Sequence, residues 1–285
     1  MNIQSLSIVV PTGQCWNDCA FCVSKMHHEE YGKSILQNGK PIPRAYLDRM
    51  QFVRDEGCNS MILTGTAEPQ QNLNFIYQLL AYNRLLRKPF YNITIQTTAS
   101  GLTIKDIQEL AEAGITTFAL SMSSFNELAH WEITNTPKNK QILSFGNLFN
   151  AVKNNNMNLR VCFNLTDEFI NVTPSYFFNW AEECGVDQVT FRKIYADGNN
   201  EKAKWVKQHE FPLDNFYNIA KYIKTNGTPI SRLPYGFIQY SVHGISTVID
   251  DNCMSKDNID EIKYAILRPN GHLYSRWDDT GSLIF

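Results

Sequence analysis

The sequence predicts an α/β protein built on a parallel sheet. Short apolar, β-rich runs alternate with segments whose apolar residues recur at helical spacing. Glycine closes several of the helical segments, as a C-terminal glycine commonly does. The alternation repeats about six times in the first 200 residues, and β-α repetition implies parallel strands joined by helical crossovers. Six units are too few for a full eight-stranded barrel. An open, partial barrel and a doubly wound sheet both satisfy the pattern.

The elements follow in order. Leu6–Val10 reads as the first strand, ended by Pro11-Thr12-Gly13. Pro43–Glu56 is a helix, with Tyr46, Leu47, Met50 and Val53 on one face and Gly57 after it. Ser60–Thr64 is the second strand and Asn72–Arg87 the second helix. Asn92–Thr98 and Ile104–Ala113 form the third unit, Thr116–Ser121 and Ile142–Asn154 the fourth. Leu159–Leu165 and Pro174–Cys184 form the fifth, and Gln188–Ile194 is the sixth strand. After Tyr195 the character changes: one helix (Leu213–Lys224), then β-like sequence. Tyr264–Leu267 and His272–Trp277 flank Pro269-Asn270-Gly271, a hairpin signal.

Composition narrows the function. The 285 residues are 43% hydrophobic and 19% charged, an ordinary globular balance. Lys and Arg number 26 against 28 Asp and Glu, a net charge of -2. That balance argues against a nucleic-acid surface, which needs excess cations to displace counterions. No apolar run approaches the roughly 18–20 residues of a membrane span. Met1–Pro11 lacks the basic start of a signal peptide, so a cytoplasmic location is expected. Seven cysteines cannot all pair internally.

Three of them, Cys15, Cys19 and Cys22, lie in the segment Cys15-Trp16-Asn17-Asp18-Cys19-Ala20-Phe21-Cys22, just after the first strand. α/β proteins place their sites at that end. Three thiolates at this spacing can hold one face of an iron–sulfur cluster and leave one iron open. A zinc site is the rival, with His27 or His28 as a fourth ligand. Cys58, Cys162, Cys184 and Cys253 are too scattered for a second cluster and read as unrelated thiols.

With Phe21 before its last cysteine, the motif resembles the signature of the radical S-adenosylmethionine superfamily. The resemblance covers roughly residues 1–200. It implies a partial (β/α)6 TIM-type barrel, with residues 201–285 as a C-terminal hairpin or lid extension. It further implies that Cys15, Cys19 and Cys22 hold a [4Fe-4S] cluster whose open iron is chelated by S-adenosylmethionine. One-electron cleavage of that cofactor yields a 5′-deoxyadenosyl radical, which abstracts a substrate hydrogen. A one-electron reductant such as flavodoxin or ferredoxin would then be a partner.

Thr64-Gly65-Thr66-Ala67-Glu68-Pro69 follows the second strand and resembles the family's Gly-Gly-Glu-Pro segment, which binds the methionyl ammonium. Gly65, Thr66 and Glu68 are its candidate contacts, and Thr66-Ala67 departs from the usual glycines. Strand alternation adds an independent line. Ile93, Ile95, Phe118, Leu120, Val161, Phe163, Val189 and Phe191 point one way, toward helices. The polar set points into the lumen and ends at Gln96 or Thr98, Ser121, Asn164 and Arg192. So many polar groups inside imply a polar ligand. By resemblance, Ser121, Ser123 and Asn164 fall where the cofactor's ribose and carboxylate are met.

The expected substrate is a small polar molecule. The C-terminal segment is aromatic and acidic, and Tyr235, Tyr240, His243, Asp250, Asp251 and Asp278 are its candidate contacts. Carboxylates can accept from a purine-like edge and aromatics can stack on it. Among compact members, the chain resembles the queuine lyases of queuosine salvage, which would make it a lyase releasing 7-aminomethyl-7-deazaguanine. RNA or peptide modification is the alternative. A non-enzymatic iron–sulfur or zinc regulator stands outside enzymology. His27-His28-Glu29-Glu30 and the Lys202–Lys207 run read as solvated stretches.

Overall fold

A computed structural model describes residues 2–26, 43–196, 198–233, 237–250, 261–277, 279 and 281–285. Six strands run in parallel, each beside the next: β1 (Asn2–Val9), β2 (Ser60–Thr64), β3 (Asn92–Thr97), β4 (Thr117–Met122), β5 (Asn158–Leu165) and β6 (Gln188–Lys193). The intervening helices are α1 (Val23–Met26), α2 (Pro43–Asp55), α3 (Leu73–Asn83), α4 (Ile104–Ala113), α5 (Glu127–Ile133), α6 (Phe145–Asn154) and α7 (Pro174–Glu183). Then come α8 (Glu201–Gln208), α9 (Leu213–Asn226), β7 (Gly227–Arg232), β8 (Ile238–Val242), β9 (Ile245–Asp250), β10 (Glu261–Leu267) and β11 (Leu273–Tyr274). This is the mixed α/β, partial-barrel architecture that the β-α count implied, with antiparallel strands near the C-terminus.

Local signals account for the boundaries. Thr103 and Asp106 form a reciprocal capping box at the start of α4, and Gly114 ends it at φ 117°. Asn72 caps α3 by accepting from the Phe75 N–H, so that helix begins after a 3-10 turn at Pro69–Asn72. The apolar strand set is buried against the helices: Leu6, Ile8, Leu63, Ile95, Phe118, Leu120, Val161, Phe163 and Phe191 have no exposed surface. Phe163 stacks on Phe191 at 5.5 Å and meets Phe177 of α7 edge-on at 4.9 Å.

The C-terminal segment does more than cap the barrel. The expected hairpin is present, with Ile266 opposite Tyr274 and Gly271 at φ 80° in its turn. However, β10 pairs in parallel with β1, and β9 in parallel with β6. The strand order is β11-β10-β1-β2-β3-β4-β5-β6-β9-β8-β7, so eight parallel strands stand in a row. The array's two ends, β10 and β9, are joined by an ion pair: Lys263 Nζ lies 2.8 Å from Asp250 Oδ2, with both side chains buried.

Candidate functional site

The inner face of the sheet encloses a cavity of about 580 Å³, within the ordinary range for a ligand site. Strand register arranges its wall in layers. Arg160, Gln188 and Ser246 share one level, Ser121, Cys162, Thr190 and Val248 the next, and Asn164, Arg192 and Asp250 the one nearest the strands' C-terminal ends. The lumen set read from alternation is therefore the cavity wall. Gln96, Thr98, Ser121, Asn164 and Arg192 all line it.

The cysteine loop sits at the end of β1. Cys19 and Cys22 line the cavity together with Phe21, Gly65, Thr66 and Glu68. Burial pushes the Cys19 thiol well up, and the neighbouring Cys22, Glu68 and Cys15 charges add to it. Burial also raises Cys15, with Glu68 and Cys22 contributing. The three thiols thus lie within one another's electrostatic reach, and bare thiolates there are disfavoured until a cation joins them. This donor set fits a [4Fe-4S] cluster, which takes thiolates on separate irons. Among the described residues no group of three or more His, Cys, Asp or Glu gathers as a single-ion site, whereas a cluster asks each thiolate to bind its own iron. His27 and His28 lie outside the described residues.

Glu68 is a buried hub. Its Oε1 accepts from Asn17 Nδ2 at 3.3 Å and Thr98 Oγ1 at 2.9 Å. Its Oε2 accepts from Gln70 Nε2 at 3.0 Å, the Thr98 N–H at 3.1 Å, and Thr97 Oγ1. Five donors saturate a carboxylate, which has about four lone-pair sites, so Glu68 ties the β1, β2 and β3 loops together. Gly65 permits this closeness, since a Cβ there would lie 3.3 Å from the Val10 carbonyl. Trp16 is fixed as well: its Nε1 donates to Ser100 Oγ at 2.8 Å, and Lys140 Nζ stands 4.0 Å over its ring.

A cover lies over the cysteine loop. Lys202 of α8 and Lys25 of α1 both pair with Asp18, Lys202 at 2.8 Å. Asn200 Nδ2 donates to the Met26 carbonyl at 3.0 Å, and Trp205 meets Phe21 at 6.2 Å. These bonds correct the reading of Lys202–Lys207 as a solvated face at Lys202, whereas Lys204 and Lys207 are exposed as that reading has them. The signal was present in Asn200, an N-cap residue, and in Ala203 and Val206, buried three apart on one face.

Ser123 is placed differently from the expected cofactor contact. It is fully buried and does not line the cavity; its N–H donates to His130 Nδ1 at 3.2 Å. His130, not singled out in the sequence, is fully buried between Trp131 and Phe145, and burial lowers its pKa to about 4.

Of the expected substrate contacts, Asp250 lines the cavity, beside Phe237, Tyr264 and Trp277. Tyr240 does not. Its neighbour Gln239 faces the cavity, so alternation turns Tyr240 to the other side, where it packs on the core. His243 is also outside the cavity. With Gly244 it forms the β8–β9 turn at φ 52° and 81°, and its Nε2 lies 3.3 Å from Tyr222 Oη. Tyr235, Asp251 and Asp278 lie outside the described residues, as does Cys253. Cys58 is buried, Cys184 half-buried, and Cys162 faces the cavity.

The family model of the Radical SAM superfamily matches residues 9–170, more than half of the chain. The chain belongs to the Radical SAM superfamily. Membership implies radical SAM chemistry, with a [4Fe-4S] cluster and S-adenosylmethionine as cofactors. No helix among the described residues is long and apolar enough to cross a membrane. No curated protein matches the chain. Among solved structures, Streptococcus suis SuiB bound to S-adenosylmethionine is 15% identical with a TM-score of 0.64, covering 98% of this radical SAM chain and 61% of SuiB. SuiB bound to its precursor peptide SuiA is 14% identical with a TM-score of 0.62, covering 96% and 59%. The anSMEcpe structure with AdoMet and the Cp18Cys peptide is 12% identical with a TM-score of 0.60, covering 98% and 75%. At these identities the likeness is one of fold. This radical SAM chain spans about three fifths of SuiB.

Proposed function

We propose that this radical SAM enzyme acts on a peptide, removing a hydrogen atom from a residue that enters the cavity. The supporting observation is the reach of the fold likeness. SuiB with its precursor peptide and anSMEcpe with the Cp18Cys peptide cover 96% and 98% of this chain. The likeness therefore extends beyond the first 200 residues to the C-terminal strands. That reach favours the peptide alternative over the small-molecule expectation.

In this reading Cys15, Cys19 and Cys22 ligate the cluster. Cluster and S-adenosylmethionine together supply the one-electron chemistry that takes hydrogen from an unactivated carbon. Glu68 holds the cysteine loop against the β2 and β3 loops. Gly65 and Thr66 receive the methionyl ammonium, and Gln96, Thr98, Ser121, Asn164 and Arg192 surround the remaining polar groups. Residues 201–285 act as an extension that lines the substrate side, and a one-electron donor of the flavodoxin or ferredoxin type serves the cluster.

A deazapurine base such as queuine is the second reading. The observation favouring it is the aromatic wall of Phe237, Tyr264 and Trp277, suited to stacking on a planar base. The experiment uses anaerobically reconstituted protein with dithionite and S-adenosylmethionine. Release of 5′-deoxyadenosine is followed with a short-peptide library and, separately, with queuine. A rise with peptides and a mass change in one of them is expected. A rise with queuine alone, yielding 7-aminomethyl-7-deazaguanine, would reverse the order of the readings. Cys19→Ala is expected to abolish cofactor cleavage in either case.

A further inference from the structure

Arg160 stands on the inner face of β5, toward that strand's N-terminal end, and lines the cavity. Its Nε donates to Gln188 Oε1 at 2.7 Å on the neighbouring strand. That single bond fixes the guanidinium from the side and leaves both terminal nitrogens without a hydrogen bond among the described residues. No carboxylate pairs with it among the described residues. The acidic side chains of the wall are engaged elsewhere: Asp250 pairs with Lys263 at 2.8 Å, and Glu68 is enclosed by its five donors.

The surroundings sharpen the imbalance. Burial lowers the Arg160 pKa, and the nearby Arg192 charge lowers it further. Cys162 and Tyr264 are the other titratable groups that bear on it, and both favour its charged form. A guanidinium held in a recess beside a second cation, with its fork free, is poorly compensated unless an anion joins it. A carboxylate matches that fork with two parallel bonds.

Position separates this group from the cofactor. Asn164 lies four residues along the same strand, on the same face, so it stands roughly 13 Å nearer the end that carries the cysteine loop. We propose that Arg160, held by Gln188, is a carboxylate-binding subsite that seats an acidic group of the substrate at the far end of the cavity from the cofactor. The proposal rests on the reading that this cavity admits the substrate beside S-adenosylmethionine. It specifies a substrate bearing a carboxylate, from either a peptide or a small acid.

The test uses reconstituted enzyme with S-adenosylmethionine bound. Two probe pairs are titrated calorimetrically: glutarate against glutaramide, and an N-acetylated tripeptide with a free C-terminal carboxylate against its amide. At least one acid is expected to bind tenfold or more tighter than its amide. Arg160→Gln is expected to erase that preference and Arg160→Lys to keep part of it, with S-adenosylmethionine affinity within twofold of wild type. The pair that shows the preference identifies the source of the carboxylate. Equal binding of acid and amide to the wild type overturns the proposal, as does a preference that survives Arg160→Gln. A loss of S-adenosylmethionine affinity in Arg160→Lys that matches the loss of acid binding also overturns it, because Arg160 would then serve the cofactor. Peptide turnover with no acid preference would fail the subsite alone, whereas an acid preference without peptide turnover would fail only the peptide reading.

Discussion

Asn17 and Glu68 are joined inside the protein: Asn17 Nδ2 donates to Glu68 Oε1 at 3.3 Å, and both side chains are buried. Asn17 belongs to the cysteine loop and Glu68 to the loop after β2. The same amide nitrogen reaches Thr98 Oγ1 at 2.9 Å, and Asn17 Oδ1 accepts from Thr136 Oγ1 at 3.2 Å. The middle residue of the three between the first two cysteines is thus anchored to three other segments. Asn17→Ala strands buried polar partners and is expected to cost about 1–3 kcal/mol. Chemical denaturation measures the loss, and iron content after reconstitution should fall with it. Wild-type stability with full iron content would refute the anchoring role.

His130 gives a pH signature. Its folded pKa, about 4, lies below the ordinary value of 6.5 because burial disfavours the charged ring. The unfolded chain therefore binds more protons between those values. The stability contributed by the neutral ring is complete above pH 6.5 and is lost as pH falls toward 4, by up to about 3 kcal/mol. His130→Leu is expected to flatten that part of the stability profile. It should also lower overall stability, because the Ser123 N–H loses its acceptor. Denaturation midpoints measured from pH 7 to pH 4 in both proteins check this, and parallel profiles would contradict it.

The Lys263–Asp250 pair joins the two ends of the parallel array. Asp250→Ala leaves a buried ammonium and is expected to cost about 3–5 kcal/mol. The double change Asp250→Asn with Lys263→Met removes both charges and should recover much of that loss. A double-mutant cycle by chemical denaturation reads the coupling, and additive losses would mean that the pair does not hold the array's ends together.

Lumen residues should outrank surface ones in cofactor binding. Ser121→Ala and Asn164→Ala are each expected to weaken S-adenosylmethionine by about tenfold, the equivalent of one lost hydrogen bond to a charged or polar group. Lys204→Ala, whose side chain is exposed beside Glu201, should leave it unchanged. Equilibrium binding to the reconstituted protein discriminates the two outcomes.

Much of the site was legible before the structure. Cys15, Cys19 and Cys22 stand out by their spacing just after the first strand, and Gly65 and Glu68 by the resemblance of the segment after the second strand to the family's. Gln96, Ser121, Asn164 and Arg192 follow from a period of two, because a strand has only two faces. Tyr240 was misjudged because β8 had no recognised register, so its facing could not be assigned. Lys202 was misjudged because a lysine-rich helix looks solvated until its partner, Asp18, is known to lie beneath it. His130 and Arg160 carried no motif, and their significance comes from burial and from missing partners.

The sequence by itself determined the cysteine motif, the six β-α units and the polarity of the lumen, because each depends on residues close together in the chain. Only the tertiary structure decided that β10 joins β1 and β9 joins β6, and that Lys263 meets Asp250 between them. Those pairings join residues as distant as Asn2 and Glu261. Local propensity makes a segment a strand, but the packing of the whole chain chooses which edge it occupies.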